Sequence, residues 1–268
     1  MIVESQKITL AGHQLHRLIL KPEGLSQGSL VFFHGQGDFI DRYPSILEIF
    51  VENGITCILT DLPGHGQSSA KRGHVPGFDF VDLLLEDSLE NLTGPFGIAG
   101  HSMGGMLAIR ALLKNPDRFD YAWISSPLLA PARQGSPLMR ILLPQIARYL
   151  PWLTWSTGVT AEQCRSGPST EPERDALYHS KISLGWVREL LIAAQELEAT
   201  FPSLPTDLPI LFTQGSADPV CPAEILRDRL AKLPKNEVTY LEIPEALHEP
   251  FIGENGETIR RTLSEWIK

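Results

Sequence analysis

The sequence predicts an α/β protein in which helices cover both faces of a mostly parallel sheet. Short β-rich apolar runs alternate with segments of helical periodicity, which is the pattern of successive βα units. An apolar run at residues 96–99 also leads through a glycine-flanked serine directly into an apolar helix. The length of 268 residues, with 43% hydrophobic and 21% charged residues, suits a globular protein with one large core.

The individual elements follow in chain order. Apolar or alternating runs predict strands at residues 14–20, 29–33, 55–60, 96–99, 121–125, 209–213 and 237–243. Helical spacing predicts helices at residues 43–53, 78–92, 102–114 and 257–268. The first helix stops at Gly54, a residue type that often ends helices, and the second carries Asp and Glu on its polar face.

The βα alternation stops between residues 126 and 208, where helical patterns are separated by Pro and Gly. Core strands precede and follow this stretch. We therefore interpret residues 126–208 as an inserted helical cap, and residues 1–125 and 209–268 as the core. Ligands of open α/β sheets bind at the carboxyl edge of the strands, so a cap there would cover the site. A run of additional core helices is the alternative.

The charge and the cysteines exclude several classes of function. A net charge of -9 gives no electrostatic reason to bind nucleic acid or an anionic membrane. Cys57, Cys164 and Cys221 lack metal-ligand spacing, and their odd number argues against a disulfide framework. The N-terminus lacks a signal-peptide pattern, and no run approaches the roughly 20 apolar residues of a membrane span. We expect a cytoplasmic protein with buried free thiols.

A candidate nucleophile lies in the segment Gly100-His-Ser102-Met-Gly104, which matches the Gly-x-Ser-x-Gly nucleophile elbow. A tight strand-to-helix turn strains the serine backbone and leaves no room for side chains two residues before or after it. The predicted strand before Ser102 and helix after it supply this context. The N-terminus of that helix also favours developing negative charge.

The candidate base follows from the order of residues along the chain. A serine hydroxyl needs a base to take its proton, and the order in this type of fold is Ser, then Asp or Glu, then His. Only His179 and His248 follow Ser102. His248 lies just after the last predicted strand, whereas His179 lies in the predicted cap with no strand end beneath it. We predict that His248 is the base.

The candidate acid must follow a strand between the serine and the base. Asp218 lies in a glycine-containing turn after the predicted strand at residues 209–213. Asp117, Asp120 and Asp207 each precede a strand, which places them at the opposite edge of the sheet. Asp218 is therefore the predicted acid, and the structural alternative is an Asx-type turn before a proline.

The oxyanion formed during acyl transfer needs two N–H donors. The residue after the nucleophile, Met103, supplies one. The other comes from the loop after an earlier strand, where the His34-Gly-Gln-Gly37 segment has glycines that let amides turn inward. We predict that Gln36 supplies it, with the neighbouring Gly37 amide as the alternative. His34 is expected to support the loop. This mechanism requires neither a cofactor nor a metal ion.

Another Asp, His and Ser occur close together in residues 61–68, but their order and spacing do not fit a triad. Asp61 is expected to brace the Gly-His-Gly turn there. Residues 138–155 are unusually apolar for a cap. This stretch has two interpretations, a roof over an acyl chain with transient lipid contact, or internal packing of cap helices.

The chain resembles the monoacylglycerol lipase and lysophospholipase branch of the α/β hydrolases. The resemblance is carried by residues 34–37, 42–43, 64–66, 72–74, 100–105, 179–182, Asp218 and His248. It implies an eight-stranded, mostly parallel sheet with a helical cap, and hydrolysis of esters with one medium or long acyl chain. Asp38-Phe39 and Pro63 depart from the usual residues of the branch. A thioesterase or small-ester esterase with the same triad, and a non-catalytic binding homologue, are the alternatives.

Overall fold

A computed structural model describes residues 1–130, 145–165, 177–205, 207–234 and 238–267. Within these ranges the strands are β1 (Ile2–Leu10), β2 (His13–Lys21), β3 (Gly28–Phe33), β4 (Ile55–Thr60), β5 (Phe96–His101), β6 (Tyr121–Ser125), β7 (Thr154–Ser156), β8 (Lys181–Ser183), β9 (Ile210–Gly215) and β10 (Thr239–Ile243). The helices include α1 (Pro44–Glu52), α2 (Phe78–Leu89), α3 (Met103–Lys114), α4 (Ala161–Cys164), α5 (Leu184–Thr200), α6 (Ala223–Leu230) and α7 (Gly256–Trp266).

An eight-stranded sheet forms the centre of the fold, in the order β1-β2-β4-β3-β5-β6-β9-β10. The pairs β1–β2 and β2–β4 are antiparallel, and the remaining neighbours are parallel. Every residue of β3, β4 and β9 is buried, as expected for strands covered on both faces. The predicted mostly parallel α/β sheet is confirmed.

Helices cover the sheet on two sides, and each side has its own apolar cluster. Phe50 of α1 and Leu263 of α7 belong to one cluster. Leu84 of α2, Leu107 of α3 and Trp186 of α5 belong to the other. Helices α1, α2, α3 and α7 each bury apolar side chains in one of these two clusters, as expected for helices that cover the faces of a sheet.

The first strand, β1, has no counterpart among the strands placed from the sequence. Its side chains are exposed or only partly buried, so it lacks the apolar alternation that marks a half-buried strand. It pairs along its whole length with β2 through a two-residue turn of Ala11 (φ 45°) and Gly12 (φ 81°). Positive φ at both positions is typical of a type I′ hairpin turn. Gly12 was therefore the one sequence feature that could have indicated this hairpin.

The chain leaves the sheet at the end of β6 and returns on the adjacent strand β9, which runs parallel to β6. The part of this excursion that the structure describes contains α4, α5 and an antiparallel two-stranded sheet of β7 and β8. Residues 154–156 and 181–183 thus form short strands within the stretch that the sequence predicts as a helical cap. The division into core and cap stays a prediction, and residues 131–144, 166–176 and 206 lie outside the described residues.

The apolar stretch at residues 138–155 is described from residue 145 onward. Six of its large apolar side chains are exposed: Ile146, Tyr149, Leu150, Trp152, Leu153 and Trp155. Packing between cap helices therefore does not explain why these six side chains are apolar. Across the described ranges, no helix combines the length and the apolar character needed to cross a membrane.

Candidate active site

Ser102 lies at the sharp turn between β5 and α3, in a strained backbone conformation with φ 57° and ψ -119°. The elbow glycines are sterically required. A Cβ on Gly100 would collide with the carbonyl oxygen of Gly104, and one on Gly104 would collide with the carbonyl oxygen of Phe33. The physical reason for the motif, a turn too tight for side chains at both positions, thus holds in this structure.

The structure brings Ser102, His248 and Asp218 together in one chain of hydrogen bonds. His248 Nε2 lies 2.8 Å from Ser102 Oγ, and His248 Nδ1 lies 2.8 Å from Asp218 Oδ2. With the ring proton on Nδ1, the imidazole donates to Asp218 and accepts from the serine hydroxyl. The Asp218 side chain has no exposed surface, and His248 is buried. This is the arrangement in which a serine can be deprotonated as it attacks.

Four donors surround the side chain of Asp218. Its Oδ1 accepts from the backbone N–H groups of Val220 (2.8 Å) and Cys221 (2.9 Å), and its Oδ2 accepts from Gln214 Nε2 (2.9 Å) as well as from the imidazole. The bond to Val220 is the Asx-type turn considered from the sequence. The two interpretations of Asp218 are therefore compatible, because the turn orients the carboxylate toward His248.

The loop predicted to complete the oxyanion hole lies against the nucleophile. A Cβ on Gly35 would come within 3.4 Å of Ser102 Cβ. Within the described residues, neither the N–H of Gln36 nor that of Met103 donates a hydrogen bond to a protein acceptor. Both amides are thus available to an incoming oxygen. His34 supports the loop as predicted, since its Nε2 accepts from the Leu62 N–H (2.9 Å).

Asp61 braces the turn that follows β4, as the sequence indicated. Its carboxylate accepts from the backbone N–H groups of Ile40 and Gln67, both at 2.9 Å, and bonds His16 Nδ1 at 3.1 Å. A Cβ on Gly66 would collide with this carboxylate. Asp61 is therefore occupied by structural bonds and does not form a second triad.

An apolar cleft opens beside Ser102, and its volume is about 970 Å³ when its open mouth is included. Helix α5 lines one wall with Val187, Leu190, Leu191 and Ala194. They are three, one and three residues apart, which places them on one face of the helix. This spacing is a sequence pattern from which an apolar helix face could have been predicted. None of the six exposed side chains of residues 145–155 is among the described residues that line the cleft.

A buried ion cluster ties the two loops that flank the nucleophile. The guanidinium of Arg42 bonds Asp38 at 2.7 Å and Glu249 at 3.0 Å. Asp38 follows the oxyanion loop and Glu249 follows His248. Burial alone would lower the pKa of Arg42, but the two carboxylates outweigh it and raise that pKa, so the guanidinium stays charged. Such a cluster fixes the loops relative to each other.

The family described as “Serine aminopeptidase, S33” (Hydrolase_4) matches residues 25–255. The chain belongs to this family. Human monoglyceride lipase is 30% identical over 216 residues, which cover 75% of this chain and 68% of the relative. The crystal structure of a monoacylglycerol lipase from Paleococcus ferrophilus aligns with a TM-score of 0.85 and 28% identity, over 94% of this chain and 98% of that one. This S33-family chain is thus an α/β hydrolase of the monoglyceride lipase branch.

An uncharacterized abhydrolase domain-containing protein of Dictyostelium discoideum is also similar to this S33-family hydrolase. The two are 30% identical over 249 residues, and the match covers 90% of this chain but only 26% of the Dictyostelium relative. The chain therefore spans about a quarter of that protein's length.

Several residues around the S33-family site were not predicted from the sequence. Gln214 donates to Asp218 from the interior of β9, and Glu249 and Tyr178 line the cleft. Burial raises the pKa of Tyr178, so its phenol remains protonated. Gln214 lies only four residues before Asp218, but no sequence motif marks it as a partner of that carboxylate.

Proposed function

We propose that the chain is a carboxylic-ester hydrolase that acts through an acyl-enzyme, with a monoacylglycerol- or lysophospholipid-type lipid monoester as substrate. The observation that carries this proposal is the hydrogen-bonded chain of Ser102, His248 and Asp218 beside an apolar cleft. The names of the human and Paleococcus relatives support the choice of substrate class.

The proposed reaction uses the site in two similar halves. Ser102 Oγ attacks the ester carbonyl carbon while its proton passes to His248 Nε2, and Asp218 stabilises the imidazolium. The N–H groups of Gln36 and Met103 bind the oxyanion. Collapse of the tetrahedral intermediate expels the alcohol, which takes the proton from His248. Water then attacks the acyl-enzyme by the same steps and releases the acid.

The apolar wall of α5 supports burial of an acyl chain during this reaction. Each CH₂ group transferred from water contributes about 0.8 kcal/mol, or roughly fourfold in binding. Much of this gain enters kcat/KM if the tail stays buried in the transition state. A thioesterase or small-ester esterase would use the same triad, so the dependence on acyl-chain length separates these alternatives from a lipid monoester hydrolase.

Contact with lipid surfaces and a cytoplasmic location complete the proposal. The six exposed apolar side chains of residues 145–155, among them Trp152 and Trp155, offer a surface suited to the boundary between lipid and water. The three cysteines are free and buried, which suits a reducing compartment.

The proposal is tested with p-nitrophenyl esters of graded chain length, monoacylglycerols and lysophospholipids. We expect kcat/KM to rise from C2 to about C8–C12 by up to roughly fourfold per CH₂ and then to level off. Ser102→Ala should lower kcat by about 10⁴-fold or more and should not react with a fluorophosphonate, whereas the parent chain and the control variant should react. Ser88→Ala, which changes a buried serine of α2, is the matched control.

Two results would reject parts of the proposal. Turnover by Ser102→Ala within about tenfold of the parent would reject the nucleophile. A chain-length series that is flat or peaks at acetate would reject the lipid monoester and favour the small-ester alternative.

A further inference from the structure

We propose that Trp186 is a positioning residue for the oxyanion hole, because its indole N–H holds the side chains of both residues that supply the hole. This inference rests on the proposed function, in which the backbone N–H groups of Gln36 and Met103 bind the oxyanion. Trp186 is absent from the residues that line the cleft in the described structure, so it acts through the other two.

One indole N–H connects the two halves of the hole. Trp186 Nε1 lies 3.1 Å from Gln36 Oε1 and 3.1 Å from Met103 Sδ. The single hydrogen is therefore shared between the oxyanion loop after β3 and the first residue of α3. The amide nitrogen of Gln36 also donates to the Lys181 carbonyl at 2.9 Å. Both polar atoms of the Gln36 side chain are thus fixed by residues of the excursion between β6 and β9.

Trp186 itself has little freedom to move. Its side chain is fully buried, and its ring centroid lies 5.1 Å from that of Phe78 in α2. It stands in the first turn of α5, where its backbone N–H donates to the N-cap hydroxyl of Ser183 (3.3 Å). The indole is therefore a fixed reference point between α2, α5 and the nucleophile turn.

The geometry of an oxyanion hole explains why such a reference point matters. Two N–H donors must lie about 2.7–3.1 Å from the oxygen at the moment when charge develops. The Gln36 and Met103 amides belong to separate loops. Their relative position therefore depends on contacts between those loops, and Trp186 is one such contact. Loss of its N–H would leave both donors present but less well aligned, and a displacement of about 1 Å can cost about a hundredfold in rate.

The test is Trp186→Phe, which keeps an aromatic ring and removes the N–H. Trp123→Phe is the matched control, because Trp123 is also buried and its Nε1 donates to Thr213 Oγ1 at 3.1 Å within the core. We expect Trp186→Phe to lower kcat by about tenfold to a hundredfold with KM changed by less than about threefold. The control should lose comparable thermal stability and keep kcat within about twofold of the parent.

A second readout separates alignment of the hole from general damage. An alkyl boronic acid forms a tetrahedral adduct with the serine and places an oxygen in the hole, whereas the fatty-acid product makes no such adduct. In Trp186→Phe, the affinity for the boronic acid should fall in parallel with kcat/KM, and the affinity for the product acid should stay within about twofold.

Gln36→Met keeps the backbone N–H and removes the side-chain acceptor, so it tests the same contact should Trp186→Phe fold poorly. It should reproduce the loss in kcat, and the double variant should be little worse than either single variant. Losses that multiply, or a Trp186→Phe enzyme no slower than the Trp123→Phe control, would overturn the inference. An inactive parent chain, or an active Ser102→Ala, would instead overturn the proposed function.

Discussion

A serine hydroxyl owes its reactivity to the groups around it, and Ser102 lies within hydrogen-bond distance of an imidazole that is itself bonded to a buried carboxylate. Such groups act as a unit, because removal of any one of them disables the same proton transfer. The energetic effects of changing them are therefore not expected to add.

We predict that His248→Ala lowers kcat about as much as Ser102→Ala, by about 10⁴-fold or more, and that the double variant is little worse than either. Initial rates on a medium-chain p-nitrophenyl ester measure this. Losses that multiply in the double variant would mean that the pair does not act together.

At the scale of single residues, the sequence located the candidate site because chemistry and chain order restrict it strongly. Ser102 has a steric signature, and His248 and Asp218 follow strand ends in the required order. Gln214 and Trp186 lacked any such signature. Trp186 contacts a residue 150 positions away, and Gln214 contacts Asp218 only four positions away but belongs to no motif, so both contacts emerge only in the packed structure.

Among the elements, α5 has one wide apolar arc that contacts both the core and the cleft. Trp186 and Leu197 pack into the main core, while Val187 and Leu191 lie on the wall of the cleft. A helix apolar over so wide an arc is expected when it is buried on more than one side. Its cleft-facing positions should therefore control how much acyl chain fits.

We predict that Leu191→Trp shortens the preferred acyl chain, because the larger ring fills volume along the α5 wall. The rise in kcat/KM should stop about two to four carbons earlier than in the parent, while acetate hydrolysis changes by less than about threefold. Ile192→Trp is the matched control, because Ile192 is the next residue along the helix and its side chain is exposed. This variant should leave the chain-length series unchanged. An unaltered series in Leu191→Trp would argue that the tail lies elsewhere.

The elements that the sequence predicted are those with a strong local pattern, such as the continuous apolar runs of β3 and β4 and the helical spacing of α3. The strand β1 escaped detection because hydrogen bonds to β2, rather than apolar burial, hold it at the sheet edge. The short strands β7 and β8 likewise have three residues each, too few to show a period.

Across the whole molecule, His16 connects parts of the fold that are far apart in sequence. Its ring bonds Ser5 of β1 at 3.1 Å and Asp61 after β4 at 3.1 Å, and Asp41 lies 4.0 Å away. The hydrogen bond to Asp61 raises the pKa of His16 although burial opposes the shift. A histidine whose pKa is raised by folding stabilises the protein below its unfolded pKa of about 6.5, and this contribution is lost as the pH rises through the folded pKa.

We predict that His16→Gln costs about 1.5–3 kcal/mol of unfolding free energy at pH 5.5 and clearly less at pH 8.5. Urea denaturation at the two pH values measures the difference. His74→Gln is a control of opposite sign, because burial lowers the pKa of His74, so the contribution of that histidine is lost as the pH falls. Equal costs for His16→Gln at both pH values would contradict the assignment.

The excursion between β6 and β9 has an evolutionary consequence. Because it begins and ends on adjacent parallel strands, its residues can be replaced, lengthened or shortened while the hydrogen bonds of the sheet persist. The residues of the proposed triad lie outside the excursion, and much of the cleft wall lies within it. Natural selection can therefore change which substrates a descendant accepts without disturbing the proton-transfer machinery, provided that the inherited segment still presents an indole to Gln36 and Met103.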